Sequence, residues 1–250
     1  MKTFKLKRTY FIFLVAFAAI LYIPNALANG KPYIDIKNVD LVFAPLVLKN
    51  KTNSVSDMYN KLQLNLFGLS ENAFQYAIKG YEYLKSNGKI SHNQIITIVD
   101  FTRSSSQKRL FVIDLNNYKI LFNTYVAHGQ GSGAEMATKF SNIPESLQSS
   151  LGFYKTSSSY IGKNGFSMKL EGLENGINDM AYERAIVMHG APYVSEDLAR
   201  SQGHIGRSWG CPAVPEKLNK PIIEKIKNGS CLFIYSENNN YLRKSRIINS

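Results

Sequence analysis

Met188-His189-Gly190-Ala191-Pro192-Tyr193-Val194, followed after a short spacer by Gly206-Arg207-Ser208-Trp209-Gly210-Cys211-Pro212, is the stretch on which the reading of this 250-residue chain turns. It places an imidazole, a guanidinium and a thiol close together in sequence. A thiol is a strong nucleophile only as thiolate, so a reactive cysteine needs a base or a positive field beside it. Histidine is the usual base near neutral pH. Gly210 opens backbone conformations closed to other residues, and Pro212 suits the first position of a helical turn. Cys211 is therefore expected at a sharp turn leading into a helix, where free amides would favour the thiolate and receive an oxyanion.

The pattern His-Gly, spacer, Ser-x-Gly-Cys resembles the catalytic signature of the YkuD-type L,D-transpeptidases. Ser208-Trp209-Gly210-Cys211-Pro212-Ala213-Val214 resembles the branch called murein L,D-transpeptidase catalytic domain proteins. The likeness extends upstream through Val126-Ala127-His128-Gly129-Gln130-Gly131, Ser149-Ser150-Leu151-Gly152-Phe153-Tyr154 and Arg184-Ala185-Ile186-Val187. It implies Cys211 as nucleophile, His189 as general base, the Gly190 carbonyl as the group orienting the imidazole, and Ser208 as a brace for the turn. The amides of Trp209, Gly210 and Cys211 would form the oxyanion hole. Many relatives carry a second histidine directly before the Gly-Cys pair, where Trp209 stands here, so His189 is left as the only motif imidazole.

Residues 1–28 follow the plan of a secretory signal peptide: basic Lys2, Lys5, Lys7 and Arg8, an apolar stretch over 11–23, and Ala26-Leu27-Ala28 as a cleavage site. The apolar run is shorter than the roughly 20 residues of a spanning helix, so an uncleaved anchor is the weaker reading and no stable span is expected after cleavage. Loss of the four basic leader residues takes the formal charge from +12 to +8. That surplus favours anionic partners of the cell envelope or periplasm. Nucleic acid fits poorly, because no base-reading motif is present and the basic residues are scattered.

Two cysteines in an exported chain allow one disulfide. Context separates them: Cys231 lies in the apolar run Ser230-Cys231-Leu232-Phe233-Ile234-Tyr235, which reads as a buried strand, whereas Cys211 sits in a glycine-rich turn with a candidate base. His189, His204 and Cys211 offer zinc-ligating atoms, but no C-x-x-C or H-E-x-x-H spacing supports a metal site, and no cofactor is expected.

The remaining pattern is α+β. Residues 29–52 lack a clear period and read as an arm or linker. Helices are expected over 55–67 and 71–86, the second stopping at Asn87-Gly88. Strands are expected at 95–99, 109–115 and 118–126, the latter two joined at Asn116-Asn117, and at 153–156, 167–170, 185–189 and 231–235. A helix over 215–227 is interrupted by Pro221, which predicts a kink or two short helices. The strand set reads as mainly antiparallel. The resemblance adds a β-rich, sandwich-like core with N-terminal helices and a helix after the cysteine, giving a catalytic domain over 53–236. The Arg243-Lys244-Ser245-Arg246 run places a solvated basic tail at 237–250.

Arg207 and Arg184 are candidates for gripping a substrate carboxylate, since a guanidinium offers two parallel bonds. The alternative for Arg184 is an ion pair with Asp179 or Glu183. Tyr193 is expected to flank the cleft, and His128, in a glycine-rich loop, to line it. His204 reads as a surface residue and His92 as a loop residue. The leading expectation is an exported cysteine acyltransferase acting on peptidoglycan stem peptides. It would form a thioester at Cys211 and pass the acyl group to the amine of a second stem or an envelope protein. The alternatives are an L,D-carboxypeptidase or endopeptidase using water at the same site, and a noncatalytic wall-binding protein.

Overall fold

The computed structural model describes residues 55–91 and 94–250, so the leader, the arm and His92 lie outside the described residues. Helices α1 (Val55–Lys61) and α2 (Leu64–Phe67) replace the single helix expected there. The break falls at Gln63, whose φ of 52° is left-handed and cannot continue a helix. Helix α3 (Glu71–Ser86) has both ends written in its sequence: the Ser70 hydroxyl accepts the Ala73 N–H, and Asn87-Gly88 ends the last turn. Its buried face carries Phe74, Ala77, Ile78, Tyr81 and Leu84 at helical spacing.

Eight strands form one sheet: β1 (Ile95–Asp100), β2 (Leu110–Asp114), β3 (Lys119–Thr124), β4 (Gly152–Gly162), β5 (Gly165–Gly172), β6 (Val187–Ala191), β7 (Ala213–Pro215) and β8 (Cys231–Tyr235). Their spatial order is β3-β2-β1-β8-β4-β5-β6-β7. Most pairs are antiparallel, as the short connections suggest, but β1–β8 and β6–β7 are parallel. Every residue of β1 and β8 is buried, the pattern of strands covered on both faces. Just past β3, the isolated Ala127–Ala213 bridge joins the chain to β7 at the opposite edge, so the single sheet curls over its own core in a barrel-like manner, within the β-rich α+β fold expected.

Helix α4 (Glu196–Gln202) follows β6 and is capped by Ser195. Helix α5 (Glu216–Ile226) is one continuous helix, not two: Pro221 points to solvent, and its missing N–H costs a single helical bond. It does not begin at Cys211, because β7 intervenes, and this corrects the expected turn into a helix. The solvated basic tail is likewise corrected. Helix α6 (Asn239–Lys244) and the residues after it pack onto the sheet, burying Tyr241, Ser245, Ile247 and Ile248. Their anchor is the buried carboxyl of Glu174, which accepts the Tyr241 hydroxyl at 3.0 Å, the Ser245 hydroxyl and the Phe153 N–H. A basic run can therefore sit on a packed helix whose other side is core.

Gly80 marks the tightest contact between α3 and the sheet. A Cβ there would lie 2.0 Å from Phe153 Cζ, and the Phe153 ring is itself stacked on Phe233 with centroids 4.1 Å apart. Alanine is the better helix former by about 1 kcal/mol on an exposed face. Here Gly80→Ala is expected to destabilise by about 1–3 kcal/mol through overpacking, measured as a lower urea midpoint.

Candidate active site

Strand β6 carries His189 and pairs in parallel with β7, with His189 opposite Ala213. Cys211 lies two residues before that partner, in the turn entering β7. Both side chains line one open cleft of about 390 Å³. His189 Nδ1 lies 2.9 Å from the Gly190 carbonyl oxygen. With that oxygen as acceptor Nδ1 is the donor, and Nε2 is the ring nitrogen that this bond leaves unengaged.

The Cys211 sulfur meets the Val187 N–H at 3.4 Å and the Ala185 carbonyl at 3.8 Å. Burial pushes its thiol above the ordinary value, while the Val187 N–H and then the Arg184 guanidinium pull the other way. Ala185 itself holds a left-handed φ of 52°, a strain of about 1–2 kcal/mol kept beside the sulfur. Tyr193 flanks the cleft, its phenol pushed up to about 12 by burial first and by nearby Cys211 second.

The turn is braced from within by Ser208, whose hydroxyl accepts the Gly210 N–H at 3.0 Å and donates to the Cys211 carbonyl at 2.6 Å. That bond engages one of the three amides considered for the oxyanion. Those of Trp209 and Cys211 carry no protein partner among the described residues. Gly210 adopts a φ of +127°, and a Cβ there would meet the Gln148 carbonyl oxygen at 2.8 Å, so glycine is required on both counts. The Trp209 side chain is 74 % exposed at the mouth of the cleft.

His128 does not line the cleft. It is fully buried, and its role is to support the turn from behind. Its Nδ1 lies 2.8 Å from Arg109 Nη2, and its Nε2 lies 3.3 Å from the Gly133 carbonyl. Arginine can only donate, so Nδ1 accepts, Nε2 carries the proton and the ring is neutral. Burial, and secondarily Arg109, lowers its pKa to about 4. The glycines after it serve close backbone approach: a Cβ on Gly129 would stand 2.3 Å from the Leu147 carbonyl oxygen and 3.0 Å from Gly210 Cα.

Arg184 makes neither expected ion pair. Its guanidinium donates to the Ser141 and Gln148 carbonyls and to the Ser150 and Ser146 hydroxyls, which ties the 141–150 loop to the floor of the cleft. Arg207 is exposed at the rim and donates to the Gly133 carbonyl at 3.0 Å. Lys163 and Asn164, absent from the sequence reading, also line the cleft from the tip of the β4–β5 hairpin. The signal was there in Gly162-Lys163-Asn164-Gly165, where Gly162 pairs with Gly165 and Lys163-Asn164 form the two-residue turn. His204 is exposed and His189 stays the cleft's imidazole. Both cysteines are free thiols, so no disulfide joins them. Among the described residues no three or more His, Cys, Asp or Glu side chains gather to hold a metal.

A Cys–His cleft at the edge of a wrapped sheet defines a cysteine enzyme. Residues 67–235 match the L,D-transpeptidase catalytic domain model of the YkuD_2 type, and the chain belongs to that family. Solved structures similar to it include the helical cell shape determining protein Pgp2 from Campylobacter jejuni (12 % identity, TM-score 0.40, 60 % of this chain and 50 % of that one). An L,D-transpeptidase from Mycobacterium smegmatis (10 %, 0.36, 57 % and 59 %) and Bd1075 from Bdellovibrio bacteriovorus (14 %, 0.36, 57 % and 48 %) are also among them. The chain thus spans between 48 % and 59 % of the length of these three. No curated protein sequence matches it.

Removing the positive charge beside the sulfur disfavours thiolate. In Arg184→Met the midpoint of the pH dependence of Cys211 alkylation is expected above that of Arg184→Lys, which keeps the charge. His128 gives a second expectation. Its folded pKa of about 4 lies below the ordinary 6.5, so the unfolded chain binds more protons between those values and stability falls as pH drops through that window. Lowering the pH from 7 to 5 should cost about 2 kcal/mol by this route in urea titrations, and His128→Gln should remove that loss.

Proposed function

We propose that the chain is an exported acyltransferase acting on peptidoglycan stem peptides through a thioester at Cys211. The observation that carries it is the shared cleft: the thiol, a neighbouring guanidinium, and an imidazole whose Nδ1 faces the Gly190 carbonyl and whose Nε2 is left as base. Family membership supports the reaction class. The leader over 1–28 supports export, and among the described residues no helix is long and apolar enough to cross a membrane.

His189 Nε2 takes the thiol proton as the sulfur attacks the carbonyl between the third stem residue, an L-centre, and the terminal D-residue. The Trp209 and Cys211 amides are the free donors for the oxyanion. Collapse of the tetrahedral intermediate breaks the C–N bond, and the imidazolium gives its proton to the departing D-amino acid. The thioester then meets an acceptor amine, whose proton passes to Nε2 while the acyl–sulfur bond breaks, and the thiol is restored. Lys163, Arg184 and Arg207 around the cleft complement the carboxylates of both stems. The rim position of Arg207 suits a ligand contact. Arg184 supplies charge from a position fixed by loop bonds.

Incubation with purified tetrapeptide muropeptide should give a protein mass increase equal to the acyl group of the tripeptide muropeptide, sugars included, absent in Cys211→Ala. Full adduct in that variant overturns the assignment, and absence of any adduct in the wild type favours a wall-binding role. His189→Ala should lower turnover by about 10²–10⁴-fold. Product masses read the acceptor: cross-linked dimers for an amine, free tripeptide for water.

A further inference from the structure

The β4–β5 hairpin has a functional group at each end. Its tip, Lys163-Asn164, lines the catalytic cleft, and its base borders a second cavity of about 630 Å³, larger than the cleft's 390 Å³. From Lys155 at that base to Lys163 at the tip the strand runs about 25 Å at roughly 3.3 Å per residue. The cavity is closed on its other sides by the end of α3 and by the packed C-terminal segment.

The charges around it do not cancel. Lys155 faces Glu171 across the ladder at 3.5 Å, and Glu174 turns its carboxyl inward onto Phe153, Tyr241 and Ser245. Lys89, Lys244 and Arg246 remain exposed on the rim, with no carboxylate at ion-pair distance among the described residues. Between these cations the floor is aliphatic, from Leu84 and Ile247.

We infer that this cavity is an accessory site for a peptide with carboxylates in excess of amines, such as a wall stem peptide other than the one at the thiol. The inference rests on the substrate class proposed above. Three unmatched cations select an anionic ligand. Glu171, already paired with Lys155, repels a continuous phosphate chain, and the aliphatic floor receives methyl groups. A stem peptide carries carboxylates and methyl groups without such a chain. Held there, a wall strand raises the local concentration of further stems at the cleft about 25 Å away.

The test is co-sedimentation of the full chain bearing Cys211→Ala, so that no covalent capture occurs, with purified sacculi stripped of phosphate polymers. The triple variant K89E/K244E/R246E should bind at least about 10-fold more weakly. The triple variant K217E/K220E/R243E, which reverses the same number of exposed charges elsewhere, should stay within about two-fold. Equal behaviour of the two triples, or undiminished binding by the first, overturns the site. So does a loss seen only on sacculi that retain phosphate polymers. Melting temperatures check folding, and K89E alone, on the α3 side, replaces the first triple if that unfolds. In protein that keeps Cys211, adduct formation with soluble tetrapeptide should be unchanged by either triple. Adduct without charge-dependent binding sinks the accessory site alone; charge-dependent binding without adduct sinks the acyl-transfer reading alone.

Discussion

The cleft depends on one stretch of backbone pressed against another. Residues 127–130 run beside 208–213: Ala127 N–H bonds to the Ala213 carbonyl, Ser208 N–H to the His128 carbonyl, and Gln130 N–H to the Ser208 carbonyl. The 147–148 backbone lies against both segments, so that neither Gly129 nor Gly210 leaves room for a methyl group. Behind them the guanidinium of Arg109 is fully buried, bonded to the Val126 and Arg103 carbonyls and to His128. A buried cation is tolerated only when so satisfied, and removing one of its partners costs several kcal/mol. The Cys211 turn is therefore held from the rear by fully buried groups.

That arrangement changes the electrostatic account of the thiol. A helix start would supply partial positive charge along a dipole, but the strand β7 follows Cys211 instead. What opposes burial is one N–H from Val187 and the guanidinium of Arg184. The same guanidinium also orders the 141–150 loop, whose Gln148 carbonyl limits residue 210 to glycine. Loop order and thiol ionisation are linked through a single side chain, so its charge and its hydrogen bonds have to be separated experimentally by lysine and methionine replacements.

Much of the fold is legible in the chain because local chemistry decides it. The cap at Ser70, the stop at Asn87-Gly88 and the apolar spacing between them specify α3, and the β-branched and aromatic run from Cys231 to Tyr235 specifies β8. The parallel pairing of β6 with β7 is not legible, since alternation of side chains does not name a partner strand. His128 illustrates the same limit. Its glycine-rich neighbours suggest an open loop, yet their purpose is close packing around a buried neutral ring, and only the distant Arg109 reveals it. The C-terminal segment looks solvated because its basic residues are consecutive, while the residues that anchor it, Tyr241 and Ser245, find their acceptor at Glu174, remote in sequence. The motif residues Cys211 and His189 could be picked out from residue chemistry and family likeness. Lys163 entered the cleft through a hairpin tip that strand patterning had left between two short segments.

Burial raises the pKa of both thiols, Cys231 completely enclosed in β8 and Cys211 only partly covered at the wall of the open cleft. Attack by peroxide and the climb to sulfenic and sulfinic acids require thiolate and access. A nucleophile held in this way is slow to be spent by chance oxidants, and it has no second thiol within reach to lock it as a disulfide. Reactivity toward adventitious oxidants is thereby lowered at the same atom that has to act as nucleophile.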